Sequence, residues 1–178
     1  MTVTPKEANT IHKKIGRAFQ EFVSKYPNLT LLQDPACEGK QHIPLVCNPI
    51  KSRENEFCHV DMMVLKNDKI KPIVEIEESN VKPTKVCGKL MTSALAKYYI
   101  HNSKNNRPIE MDESVTFLQI LDTSKLVKEK TKKIMQWKLL ESSINNVLPL
   151  KNSRIATYRI FTTDELSELD RLIGEAAR

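Results

Sequence analysis

The segment 57–77 constrains this chain more than any other. Two apolar runs, Phe57-Cys58-His59-Val60-Asp61-Met62-Met63-Val64-Leu65 and the stretch 70–77 ending Ile73-Val74-Glu75-Ile76-Glu77, flank the polar Lys66-Asn67-Asp68-Lys69. Such runs joined by a short polar turn read as a β-hairpin. Side chains alternate between the two faces of a strand, so Glu75 and Glu77 share one face while Val74 and Ile76 take the other. With the turn centred on Asn67 and Asp68, position 61 pairs near position 74. Asp61 then lies diagonally beside Glu75, about 5–8 Å away at Cβ. Three carboxylates crowd one patch in apolar surroundings, and like charge and burial each raise a carboxyl's pKa. A hard divalent cation such as Mg²⁺, which takes oxygen ligands, offsets that cost. The plainer alternative is a solvated strand end with an exposed Glu77-Glu78 edge. Asp61 and Glu75 lie inside apolar runs rather than at their ends, and that position favours a site.

The rest of the chain supplies helices and further strands. Thr4-Pro5-Lys6-Glu7 forms a capping box that opens a helix, and Ile11, Ile15, Ala18, Phe19 and Phe22 give it one apolar face ending before Pro27. A short strand over 29–32 follows. The stretch 33–55 holds Pro35, Gly39, Pro44 and Pro49 and reads as a long irregular connection with a short strand near 43–47. Helical spacing covers 84–100 with Thr84 as its cap, and covers 125–144. Strands are expected at 115–121 and 155–161. Thr162-Thr163-Asp164-Glu165 is a second capping box and starts a final helix. This order implies an α/β fold: a central mixed β-sheet of about five strands flanked by helices, in a single domain over 1–178. Gly88, inside the helix over 84–100, is expected to mark close packing of that helix on the sheet.

Composition narrows the chemistry. The chain carries 28 Lys and Arg against 22 Asp and Glu, a net charge of +6 that suits a polyanionic partner. Lys51, Arg53, Lys82, Lys125, Lys128 and Lys132 are the candidate phosphate contacts, against the plainer reading of solvated faces. No GxGxxG or GxxxxGK[ST] phosphate loop is present. Cys37, Cys47, Cys58 and Cys87 form no CxxC pair, so structural zinc is not expected. His59 shares the parity of Asp61, although a packed core histidine is the simpler reading, and Trp137 is read as core. The start of the chain has no apolar leader and no long apolar run follows. The expectation is a cytoplasmic protein with no membrane segment.

Asp61 on a strand, a short turn, Glu75-Ile76-Glu77 on the next strand and a helix from about Pro83 resemble the PD-(D/E)xK nuclease superfamily. The resemblance runs over roughly 5–121. It implies the restriction-endonuclease-like fold and an Mg²⁺-dependent DNA endonuclease of restriction or repair type, with Mn²⁺ able to substitute. Asp61 and Glu75 would hold the metal, with the Ile76 carbonyl facing it, and Glu77 would stand where the family places lysine. Val60 replaces the motif's proline. Either Glu77 serves in the lysine's place and ligates metal, or Lys85 or Lys89 reaches back from the next helix. A third alternative is a catalytically inactive module of the same fold that binds nucleic acid or a protein partner. Glu21 and His12 are the candidates for an added side chain from the first helix, and a homodimer is expected from the resemblance alone.

Overall fold

The computed structural model describes residues 10–78, 81–124, 126 and 130–176. The expected opening at Thr4 to Glu7 lies outside them. The first described helix, α1 (Ile11–Val23), starts at Thr10, whose extended backbone and side-chain oxygen cap the Lys13 N–H at 3.4 Å. Eight strands follow: β1 (Leu29–Gln33), β2 (Pro44–Val46), β3 (Glu56–His59), β4 (Met62–Lys66), β5 (Lys69–Glu77), β6 (Tyr98–Tyr99), β7 (Ile109–Leu121) and β8 (Ile155–Thr162). The remaining helices are α2 (Pro83–Leu95), α3 (Lys130–Asn145) and α4 (Leu169–Ala176).

The chain is thus α/β with an open, mixed sheet, but among the described residues it has eight strands rather than about five. β4 runs antiparallel to both β1 and β5, while β7 lies parallel to both β5 and β8. The early part of β7 turns away and pairs with β6, which continues the sheet through β2 to β3. Besides the short strand near 43–47, two differences from the expected elements produce the extra strands. The run 57–65 breaks at Val60-Asp61 and its two halves pair with different neighbours, β2 and β5. The helix expected over 84–100 stops at Leu95, and Tyr98-Tyr99 form a strand, as aromatic residues favour.

Alternation along the strands divides the core in two. Ile73, Phe117 and Tyr158 face α2 and α3, packing with Val86, Leu90 and Trp137. Val74, Ile76, Leu118 and Ile120 face α1 and α4, packing with Ile15, Phe19, Phe22 and Ile173. The capping box before α4 forms as expected: Thr162 N–H and Oγ1 donate to Glu165 Oε2 at 2.9 and 2.7 Å. Among the described residues no helix is long and apolar enough to cross a membrane.

Two glycines behave oppositely. A Cβ on Gly16 would stand 2.5 Å from the Cys37 carbonyl oxygen, because α1 lies directly on the turn after β1. A Cβ on Gly88 would meet nothing within 4 Å, so the close packing expected there is absent. Gly16→Ala should therefore lower stability by about 1–3 kcal/mol through overpacking. Gly88→Ala should raise it by about 1 kcal/mol through helix propensity. Chemical denaturation of the two variants beside the parent checks both signs.

Candidate active site

The hairpin positions the acidic groups through two local devices. Asn67 and Asp68 both adopt positive φ, 51° and 60°, which gives the tight turn that matches strand twist. Pro72 has no N–H to contribute to a ladder, and the pairing slips by one residue between Ile70 and Ile73. The slip moves the register from 61 opposite 74 to Met62 opposite Val74. Asp61, one residue earlier, therefore stands level with Glu75 rather than diagonal to it.

Asp61 belongs to neither β3 nor β4. Its carbonyl accepts the Asp34 N–H at 2.8 Å, and its Oδ2 accepts the Ile76 N–H at 2.7 Å. Backbone groups alternate along β5: the Glu77 carbonyl accepts the Asp122 N–H at 2.8 Å beside β7, so the Ile76 carbonyl turns the other way, towards Asp61. The edge where β4 begins thus gathers a carboxylate and a backbone oxygen beside Glu75.

Glu75 and Glu77 point together into the α2 face, each only 2 % exposed. Helix α2 meets them with Lys85 and Lys89, four residues apart and so on one side of the helix. Lys89 Nζ lies 2.5 Å from Glu75 Oε2 and 3.1 Å from Glu77 Oε1, and Lys85 Nζ pairs with Glu77 Oε2. Burial and the neighbouring Asp61 carboxylate push the Glu75 carboxyl well above the usual range, with Lys89 pulling the other way. Burial disfavours the Lys89 ammonium, but Glu75, Asp61 and Glu77 outweigh it and hold its pKa above the ordinary value. Cys37, close to this centre, is pushed far up by burial and then by Asp61, Asp34 and Glu75. Such a thiol is a poor nucleophile at neutral pH.

The structure brings together Asp61, Glu75, Glu77, Lys85 and Lys89. The described basic candidates stand on separate elements. Lys51 is exposed and holds Asn102 and Asn106 at 2.5 and 3.2 Å. Arg53 and Lys82 are exposed, on a short 3-10 turn and at the start of α2, and Lys132 is exposed on α3. Lys125 and Lys128 lie outside the described residues. His59 is neither core nor at the site: it is half exposed and pairs with Glu56 at 2.9 Å. Glu21 is exposed on α1, whereas His12 reaches the site. All four cysteines are free thiols. Sequence reasoning missed Gln119, which sits level with Glu75 on β7, fully buried, its Oε1 accepting the Tyr158 hydroxyl at 2.9 Å. A glutamine inside the run Phe117-Leu118-Gln119-Ile120-Leu121 was the available signal.

Among the described residues no group of three His, Cys, Asp or Glu side chains forms a ready-made metal cage. Mg²⁺ does not require one, since it is commonly held by one or two carboxylates and completes its shell with water and phosphate. Asp61, Glu75 and the Ile76 carbonyl offer such an oxygen set. Comparison with models of known protein families, with curated proteins and with solved structures returned no match.

The buried charge has a consequence for stability. Glu75 binds its proton more tightly in the folded chain than in the unfolded one, so the folded state carries a penalty. That penalty is absent below the unfolded carboxyl pKa, near pH 4, and grows as pH rises through the folded value. Glu75→Gln removes it while Lys89 keeps Glu77 as partner. The variant should melt several degrees above the parent at neutral pH, and the difference should vanish towards pH 4. Thermal unfolding of both proteins across that interval reads the effect.

Proposed function

We propose that the chain is an Mg²⁺-dependent DNA endonuclease of the PD-(D/E)xK type, with the restriction-endonuclease-like fold and a lysine supplied from the helix after the motif. The observation that carries the reading is the placement of Lys89 Nζ at 2.5 Å from Glu75, level with Asp61. The order α1, β1, β4, β5, α2, β7 supports it, with β1, β4 and β5 antiparallel and β7 parallel to β5. So does the net charge of +6, which favours a polyanion.

In this reading Asp61, Glu75 and the Ile76 carbonyl hold the ion. When bound, Mg²⁺ supplies an acidified water and neutralises charge on the phosphate. Lys89 keeps its proton, because the carboxylates around it raise its pKa. Its part is therefore to orient the water and stabilise the charge developing on phosphorus-bound oxygen, rather than to accept a proton. Glu77 anchors Lys89 and Lys85 instead of standing in for the lysine. Lys85, half exposed and paired with Glu77, suits a neighbouring phosphate.

Supercoiled and linear DNA incubated with Mg²⁺ or Mn²⁺ should be cut by the parent. Asp61→Ala and Lys89→Met should each lower the rate by about 10²-fold or more. Lys85→Met should cost about 10-fold or less, as a group outside the reacting centre. Retention of DNA without products, unchanged by Asp61→Ala, would instead make the chain a catalytically silent binding module.

A further inference from the structure

We infer that Gln119 is a positioning residue of the candidate site: held through its amide oxygen by Tyr158, it donates its amide N–H to Glu77 when Lys89 leaves the carboxylates. The inference rests on the reading in which Lys89 acts on a phosphate. It concerns what lets that lysine move.

Gln119 lies on β7, with Glu75 level with it on β5 and Ile160 level with it on β8. Level residues of a sheet share a face, so its side chain joins those of Glu75 and Glu77. Like theirs, it is buried. Its Oε1 accepts the Tyr158 hydroxyl at 2.9 Å. Tyr158 is itself well fixed. Its ring stacks on Phe117 at 6.0 Å, and the Asn145 side chain bonds its backbone N–H and carbonyl at 2.9 and 2.8 Å. Burial, Cys87, Glu141 and Glu77 all raise the pKa of the phenol, so it keeps a proton to donate. The reverse amide orientation would set an oxygen towards the carboxylates, whose negative charge opposes it.

The other arm of the amide has no partner. Among the described residues, Gln119 Nε2 and Glu77 Oε1 are both buried without a hydrogen bond. A buried donor or acceptor in that state is unfavourable and rare. Here one of each is left together, on strands about 4.8 Å apart and one row from each other. The bond between them is missing for a visible reason. Lys89 Nζ stands 2.5 Å from Glu75 Oε2 and 3.1 Å from Glu77 Oε1, so its charge already compensates that oxygen. When Lys89 turns away, Glu77 keeps Lys85, which pairs with Oε2. Oε1 then needs a donor, and Gln119 Nε2 supplies it. A hydrogen bond to an ionised oxygen is among the stronger kinds, so it lowers the cost of moving the lysine.

The test replaces both members of the pair, Gln119→Leu with Tyr158→Phe, so that neither a hydroxyl nor an amide is left unbonded. Replacing both partners of a buried hydrogen bond by apolar groups of like shape is close to neutral for stability. The double variant should therefore melt with the parent or above it. Kinetics are read where both proteins are fully folded. On supercoiled DNA with Mn²⁺, kcat should fall about 10-fold, with KM changed less than about threefold. Calorimetric titration with Mn²⁺ should show about 10-fold weaker binding, because Lys89 must leave Glu75 to admit the ion. If the double variant does not fold, Gln119→Met, which keeps the length without the donor, is read for the same changes in kcat and affinity. Parent-like kcat and Mn²⁺ affinity, or a lower melting temperature as the only change, make Gln119 a structural partner of Tyr158. That overturns the inference and leaves the nuclease reading intact, as does a rise in KM with kcat unchanged. A parent that binds Mn²⁺ without cutting DNA, with weaker binding in the double variant, keeps the inference and removes the nuclease reading. A parent that neither binds nor cuts overturns both.

Discussion

The burial of Glu75 and Glu77 against α2 is the interaction on which the candidate site depends. An ionised carboxylate taken out of water is costly unless it is paired and hydrogen-bonded. Here two are buried side by side, with Asp61 close by, and the compensation comes from a single helix. Lys85 and Lys89 therefore fix how α2 sits on the sheet as well as how charge is balanced beneath it. Val86, Leu90 and Ala94 give the same helix its apolar contact with the core. Helix docking and site assembly are thus one event: a shift of α2 that spoiled the packing would also strand two carboxylates.

The second constraint is where Asp61 comes to rest. A strand running unbroken from Phe57 to Lys66 would carry the aspartate past in a ladder, its backbone held on both sides. Instead β3 leaves towards β2 and β4 towards β5, and Asp61 occupies the fork. Freed from the ladder, its side chain turns to cap the Ile76 N–H, a donor that β7 does not use. Pro72 contributes from a distance, because the slip beside it sets Asp61 level with Glu75. The tightness of the site thus depends on a missing N–H three residues from Glu75.

Much of this was legible in the sequence because it follows from periodicity. The shared face of Glu75 and Glu77, the turn at Asn67-Asp68, the capping box at Thr162 and the reach of Lys85 and Lys89 all come from spacings of two, three and four residues. What escaped was set by pairing partners, which no local pattern specifies. The fork at Val60-Asp61 hides within a continuous apolar run. Tyr98-Tyr99 fit a helical pattern until β7 and β2 claim them as a strand. His12 stands 49 positions from Asp61 along the chain, and only the packing of α1 over the sheet brings the two within 3.8 Å. Gln119 carried a local signal, a polar residue amid apolar ones, but its partner Tyr158 lies on another strand.

On the proposed nuclease reading, glutamate at position 77 looks at first like the loss of a needed cation. The charge balance argues otherwise. Two carboxylates at 61 and 75 with a lysine at 77 would leave one negative charge in excess. Three carboxylates with Lys85 and Lys89 leave the same excess. Glutamate at 77 does not abolish the site's charge; it requires that the charge be supplied by α2, and it supplies the anchor that holds both lysines there. The difference lies in mobility rather than in electrostatics. A strand lysine is fixed by its neighbours on both sides, whereas Lys89 extends from a helix and is about a third exposed. On the proposed reading, it pairs with Glu75 in the absence of an ion and turns towards a phosphate when a cation takes its place on the carboxylate.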